Sequence, residues 1–394
     1  MKCRLAIAAV ACLAMPAWAD TYLVLPFFNA SRTANLDWIG ESVAETVREA
    51  LAGQGIMTVD REGRQEAYRR LGLRTDANLT RATIMKVGQS LDADNVIYGE
   101  FTLTPAAPNS GPSRGSLKIT AHIMNVKNLS QGPEFSEVAA LEDLASEQSH
   151  LALQALRFIT PSTAPSDAEF QKLRPQVRVD AIESYIRGLL AATPEQKNKL
   201  FSQAARLEPN FSQAAYQLGM LAYSRKEYKT AADWLAKVAA TDPRYRQALF
   251  YLGISRYELG DYTRAESAFD LVAKTVPLNE VLNNLGAAQS RLNEPQAVDT
   301  FAKALEGDPA DPVYHFNTGY ALWKAGKFEA AAERFRAVLE RDPADSAAVR
   351  MLAKCAKHSG PEPADRMERL ERIKTTYEES AYWQLKAVLQ PDKR

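Results

Sequence analysis

Five prolines, Pro209, Pro243, Pro277, Pro309 and Pro343, follow one another at steps of 34, 34, 32 and 34 residues (243−209, 277−243, 309−277, 343−309). A period near 34 residues is that of a helix–turn–helix unit. Proline lacks an N–H, and its ring collides with the preceding turn, so each one closes a helix. Units of this size cannot bury their apolar faces alone and stack into a curved solenoid, an architecture that holds other proteins. A chain of this kind is expected to bind rather than to catalyse.

The interior of each unit repeats as well. Ala231, Leu235 and Val238 stand at i, i+4 and i+7, as do Ala265, Phe269, Val272, then Ala297, Phe301, Ala304, then Ala331, Phe335, Val338. That spacing is one face of a helix. The alanine lets a neighbouring helix approach, and the larger residue fills the groove beside it. Upstream of each stripe comes a pair ending in a small residue: Leu218-Gly219, Leu252-Gly253, Leu285-Gly286, Thr318-Gly319 and Leu352-Ala353. Gly260-Asp261-Tyr262 and Gly326-Lys327-Phe328 mark turns between helices.

Over residues 179–360 this joint recurrence of small residue, alanine, aromatic and proline resembles the tetratricopeptide repeat (TPR). The resemblance implies an all-α solenoid whose first helices line a concave surface. Three departures stand out. The unit from Pro277 to Pro309 is short and carries Pro295 in its turn, so the stack is expected to tilt there. The first unit, Ala181 to Pro209, has a shortened turn. Beyond Pro343 the pattern fades near Pro361 and Pro363, and residues 361–394 are expected to form helices that cap the last apolar face, with two amphipathic stretches between Asp365 and Leu389.

Residues 20–160 read differently. Tyr22 to Phe28 is a continuous apolar run, which is a buried strand. Ile39, Val43, Val47 and Leu51 recur every fourth residue in a helix with Asp37 as its N-cap and Gly53 and Gly55 at its end. Ile56 to Val59 is a short strand, Glu66 to Leu71 and Leu79 to Leu91 are helical, and Asn95 to Leu103 and Ser116 to Val126 are strands. Leu117, Ile119, Ala121 and Ile123 alternate inward against Lys118, Thr120 and His122. A helix from Leu141 to Ile159 closes the unit. The order is that of an α/β domain with a small mixed sheet. Val24-Leu25-Pro26-Phe27, the helix from Trp38-Ile39-Gly40, Val59-Asp60-Arg61, Asn95 to Phe101 and Leu117 to Val126 resemble the amino-terminal domain of the TolB family. That resemblance implies an envelope-associated interaction domain. No β-propeller pattern follows, so nothing of a propeller is carried over.

The first nineteen residues have the pattern of an export signal. Lys2 and Arg4 precede an apolar run from Leu5 to Met15, and Ala17-Trp18-Ala19 forms a cleavage site before Asp20. The expected location is the periplasm or cell envelope; lipoprotein processing at Cys12 fits less well, because its apolar run is short. Removing 1–19 takes two bases and no acid from 48 of each, leaving 46−48 = −2. That balance speaks against phosphate neutralisation, and hence against a nucleic-acid partner. No downstream segment has the length and hydropathy of a transmembrane helix. Cys355 alone remains after cleavage, inside an amphipathic helix, and reads as a buried inert thiol. Pro161 to Asp167 opens a linker reaching residue 178, in which Phe170 and Leu173 are apolar enough to dock on a neighbour.

The inner face of the stack supplies the candidate binding residues for a protein or peptide partner. In the second unit they are Tyr216, Met220 and Tyr223, and in the third Phe250, Ile254 and Tyr257. In the fourth they turn small or polar, Asn283, Ala287 and Ser290, and in the fifth they are Phe316, Tyr320 and Trp323. So many aromatics suit a partner with apolar anchors, an extended strand or an amphipathic helix. Arg291 and Lys324 add a positive rim. Packing against the next helix explains the same aromatics equally well. Some repeats of this family grip a C-terminal carboxylate with lysines and asparagines, but Tyr216, Met220 and Phe250 stand in the equivalent inner places.

No catalytic, metal or cofactor pattern emerges. His122, His150, His315 and His358 lie far apart and fit no zinc motif. Gly111-Pro112-Ser113-Arg114-Gly115 matches the G-x-S-x-G spacing, yet a strand follows where the nucleophile elbow needs a helix. The loop Asn29 to Asn35, with Arg32, has the place of an anion site at a strand end, and a capped solvated turn explains it as well. The expected function is therefore a protein-interaction scaffold or adaptor of the bacterial cell envelope. The alternative is an α/β domain that senses a ligand or anion and is coupled to the repeats.

Overall fold

A computed structural model describes residues 20–31, 33, 35–106, 114–174, 176–362, 368–379 and 382. Residues 1–19 with Cys12, together with Arg32, Ser113 and parts of the 361–394 segment, lie outside the described residues.

The first half is a mixed sheet covered on both faces. Strands β1 (Thr21–Val24), β2 (Phe28–Asn29), β3 (Met57–Thr58), β4 (Asn95–Pro105), β5 (Gly115–Asn125) and β6 (Gln131–Ala140) run in the order β3-β1-β4-β5-β6, with β2 also on β4. β1 is parallel to β3 and β4, while β4, β5 and β6 are antiparallel. The apolar run from Tyr22 makes two short strands, since no ladder continues through Pro26. Strand β6 has little periodic signal, because it lies at the sheet edge, fully buries none of its residues and contains Gly132-Pro133.

Helices α1 (Trp38–Gly53) and α4 (Leu144–Ile159) cover one face, burying Ile39, Val43, Val47, Leu51, Leu144 and Leu156. On the other face α2 (Arg61–Leu71) and α3 (Arg81–Ser90) bury Tyr68, Ile84 and Val87 against Leu23, Leu25 and Val96. Asp37 precedes α1 without capping it through its side chain; Asp37 Oδ1 instead accepts from Asn29 Nδ2 at 3.1 Å.

Residues 161–178 are not a free spacer. Helix α5 (Asp167–Leu173) starts with a capping box formed by Ser166 and Glu169, and Phe170 is buried while Leu173 stays exposed. The α1 side of the core continues into the helical half: Tyr185, Ile186, Phe201, Phe211 and Leu218 belong to the same apolar cluster as Val43 and Leu156. Arg187 Nη2 donates to Asn35 O at 2.8 Å, and Arg244 pairs with Glu49 at 3.0 Å across the same junction. The two halves therefore share one core.

The second half stacks helix pairs: α6 (Val179–Leu190) with α7 (Pro194–Leu207), α8 (Ser212–Ser224) with α9 (Tyr228–Leu235), and α10 (Tyr245–Glu258) with α11 (Tyr262–Ala273). Next come α12 (Asn279–Arg291) with α13 (Ala297–Gly307), α14 (Pro312–Lys324) with α15 (Phe328–Arg341), and α16 (Ser346–Ala356). The alanine stripes are buried as spaced. Close approach within a pair requires glycine: a Cβ on Gly253 would stand 2.6 Å from Phe269 Cε1. Four of the five turns between paired helices, all but that between α6 and α7, share one left-handed residue, Lys226, Gly260, Asn293 and Gly326, with φ of 60°, 77°, 58° and 75°. Only the glycines announce this in the sequence.

The C-terminal segment departs most from expectation. Residues 368–378 hold no helix; they run extended along the stack instead of capping its end. The physical reason lies in what this stretch touches.

Candidate functional site

The first helices α8, α10, α12 and α14 line a hollow, and the extended segment 368–379 lies in it. Three asparagines hold its main chain. Asn283 Nδ2 and Asn317 Nδ2 each donate to Arg372 O at 2.8 Å, and Arg372 N donates to Asn317 Oδ1 at 2.8 Å. Two residues further on, Asn284 Nδ2 donates to Lys374 O and its Oδ1 accepts from Lys374 N, both at 2.8 Å. In an extended chain residues i and i+2 present their N–H and C=O along one edge, and the asparagines read that edge as a neighbouring strand would. Asn317 Nδ2 also donates to Asn283 Oδ1 at 2.7 Å, which fixes both amides.

All three asparagines are fully buried. A buried amide without partners is destabilising by about 1–3 kcal/mol, so these positions call for a peptide main chain against them. Their helices place them at equivalent depths: Asn283 stands three residues before Gly286, and Asn284 and Asn317 stand two before Gly286 and Gly319.

Side chains on the hollow's walls complete the contact. Phe250 faces the Tyr377 ring at 5.1 Å between centroids, and the Arg372 guanidinium lies 3.6 Å from the Phe316 centroid. Trp323 Nε1 donates to Ser359 O at 2.7 Å where the chain leaves α16. Ser290 Oγ donates to Glu371 Oε1 at 2.8 Å, and Arg291 Nη1 donates to Glu368 O at 2.9 Å. Lys324 donates to Ser290 O rather than standing free at a rim.

The nine inner residues read from the sequence thus divide. Phe250 and Phe316 touch the extended segment, and Trp323 holds the chain that leads to it. Ile254, Tyr257 and Tyr320 are buried in the stack, Tyr257 against Tyr262 and Tyr320 stacked on Trp323. Tyr216 donates its OH to Gln247 Oε1 at 2.8 Å under the Arg244 guanidinium. Met220 and Tyr223 are half-buried, Met220 at a cleft facing α1 and Tyr223 against Tyr251. Of the nine, Phe250, Tyr257, Phe316, Tyr320 and Trp323 are all buried, because neighbouring helices and the segment itself cover them.

In the 29–35 loop Asn29 Nδ2 donates to Thr33 O at 3.0 Å and Ser31 Oγ to Asn29 Oδ1 at 2.7 Å. A cleft of about 320 Å³ between α1, α5 and the first two repeats is lined by Glu45, Glu49, Asp242, Arg174 and Arg246, a mixture of both charges. Cys355 is buried, and burial pushes its thiol up. Among the described residues no group of His, Cys, Asp and Glu could hold a metal, and no helix is long and apolar enough to cross a membrane.

Family models described as tetratricopeptide repeat match residues 198–244, 247–279, 293–346 and 316–360. Comparison with curated proteins finds no match. Among solved structures, YrrB, described as a TPR protein with an unusual peptide-binding site, is 20% identical, with 49% of this chain and 93% of that chain covered and a TM-score of 0.36. PilF of Pseudomonas aeruginosa is 19% identical over 54% and 93% of the two chains, with a TM-score of 0.36. The C-terminal domain of LpoB from Salmonella enterica is 20% identical over 31% and 82%, with a TM-score of 0.24. At these levels of agreement no property of those proteins passes to this chain.

Proposed function

Since its helical half is built of tetratricopeptide repeats, a protein-interaction architecture, we propose that this protein is a scaffold of the bacterial cell envelope whose concave groove holds an extended segment of a partner protein. The observation that carries the reading is the set of buried amides of Asn283, Asn284 and Asn317, aimed at the main chain of an extended segment. Such bonds ask only that the occupant be extended, and the walls supply the selectivity. An envelope location rests on the export pattern of residues 1–19, and the expected mature chain begins at Asp20. A micromolar affinity, about −8 kcal/mol, is the scale for a single segment in such a groove. The protein acts by binding.

The test is photo-crosslinking in cells. A photoreactive phenylalanine analogue replaces Tyr223, half-buried on a first helix, and in a control chain Leu271, exposed on a second helix. Adducts at position 223 are expected in the envelope fraction, and pairing that chain with Asn283→Ala and Asn317→Ala should remove most of them. Equal adducts at 223 and 271, or adducts indifferent to the asparagine changes, would sink the reading.

A further inference from the structure

We infer that residues 368–379 are a resident ligand that a partner must displace, and that their side chains describe the partner: an extended segment with an acidic residue, two basic residues flanking an aliphatic one, and an aromatic residue three positions on. The inference rests on the groove function proposed above and adds the identity of its first occupant.

The side chains alternate as an extended strand requires. On one side Arg372 pairs with Asp345 at 2.7 Å and lies over Phe316, while Lys374 pairs with Asp311 and lies 4.9 Å from the Tyr314 centroid. On the other side Glu371 meets Ser290, Ile373 packs on the central apolar cluster, and Tyr377 meets Phe250. Each position of Glu371-Arg372-Ile373-Lys374, and Tyr377 beyond it, has its own receptor. The main-chain bonds are indifferent to sequence, so selectivity lies in these five pockets.

Displacement, rather than permanent closure, follows from how the segment is held. Nothing in residues 368–378 is tied into helix or sheet, so leaving breaks only edge bonds and side-chain contacts. The fit is also incomplete. Tyr257 Oη, Arg291 Nε and Glu371 Oε2 are buried together without hydrogen-bond partners, and Arg291 Nη1 stands 3.9 Å from Glu371 Oε2. An occupant that satisfies this corner binds better than the resident. An empty groove is disfavoured because three buried amides lose their partners, so exchange of one occupant for another is the favoured event. Tethering gives the resident an effective concentration in the millimolar range. For a resident of micromolar to ten-micromolar intrinsic affinity, a competing segment is therefore held back by a factor of about a hundred to a thousand.

The test uses the full chain and a fluorescent synthetic peptide of residues 368–379, read by anisotropy. The release variants are Lys374→Glu with Tyr377→Ala and, independently, Arg372→Glu, each verified as folded by its circular dichroism and melting curve. Either is expected to bind the peptide about a hundredfold more tightly than the unaltered chain, and a peptide carrying Arg372→Glu and Lys374→Glu should bind at least about tenfold more weakly. Equal affinity of the unaltered and release chains overturns the resident-ligand inference and leaves the groove function standing. Equal binding of the charge-reversed peptide overturns the partner chemistry. Tight binding that survives Asn283→Ala with Asn317→Ala in a release variant places the peptide elsewhere and overturns the groove function as well.

Discussion

Replacing Asn317 by alanine is the sharpest probe of how the groove grips a main chain. The change removes the donor to Arg372 O, the acceptor of Arg372 N–H, and the donor that satisfies Asn283 Oδ1. Arg372 O keeps its bond from Asn283, but Arg372 N–H loses the acceptor given to it here. Each lost bond is worth about 1 kcal/mol net, and a buried donor left unpaired costs about 1–3 kcal/mol. Part of the sum, from Asn283 Oδ1, falls on the stack itself, so the segment's share is about 2–4 kcal/mol. At about 1.4 kcal/mol per decade, its opening equilibrium rises by thirtyfold to nearly a thousandfold. Native-state hydrogen exchange at neutral pH reads that equilibrium at the Arg372 and Lys374 amides. Amides in the middle of α14 serve as the internal control and should accelerate less than the segment amides, by the share of the one orphaned acceptor, Asn283 Oδ1. If the two segment amides change by less than threefold, the asparagine is not holding the chain. If they accelerate in step with α14, the segment opens only with the whole stack, and no separate displacement step exists.

Gly253→Ala should destabilise the fold by about 1–3 kcal/mol in urea titrations, since its Cβ would press on the fully buried Phe269, whereas Gly360→Ala, with open space around it, should be neutral. Lys226→Gly relieves a left-handed residue at φ 60° in the turn where two other repeats carry glycine; a gain on the order of 0.5 kcal/mol is expected, with Gly260→Val losing about 1–2. Glu147 is buried with neither carboxylate oxygen paired, and burial, then Glu137 and Asp143, push its carboxyl up to about 8. A carboxyl raised in the folded state contributes stability that is full below its unfolded pKa, near 4.5, and is lost as pH rises toward 8. Glu147→Gln should therefore match the unaltered chain at pH 4 and exceed it at pH 8, and identical urea midpoints at both would refute the assignment.

What the sequence determined by itself was everything local and periodic. The proline period, the alanine stripes and the small residues at 188, 219, 253, 286 and 319 specify paired helices, because helix contacts repeat with the chain's own geometry. Alternation in Leu117 to Ile123 and the fourfold step from Ile39 to Leu51 specify the buried faces of β5 and α1 for the same reason. Strand β6 carried little such signal, since an edge strand with exposed residues has no apolar period to display.

Only the tertiary structure decided what fills the hollow. The fourth unit's turn to Asn283 and Ser290 on an otherwise aromatic inner face was visible as a break in pattern, but nothing in the spacing says that an amide will meet a main chain some ninety residues away. Residues 365–389 have the amphipathic composition of helices, and the structure holds 368–378 extended because buried amides and two carboxylates, Asp311 and Asp345, reward an exposed strand edge with Arg372 and Lys374 on one side. Local propensity differs between helix and strand by tenths of a kcal/mol per residue, and a handful of buried bonds outweighs it. The same holds at the junction, where Phe170, Tyr185 and Phe201 merge two sequence-distinct halves into one core through contacts that no period encodes.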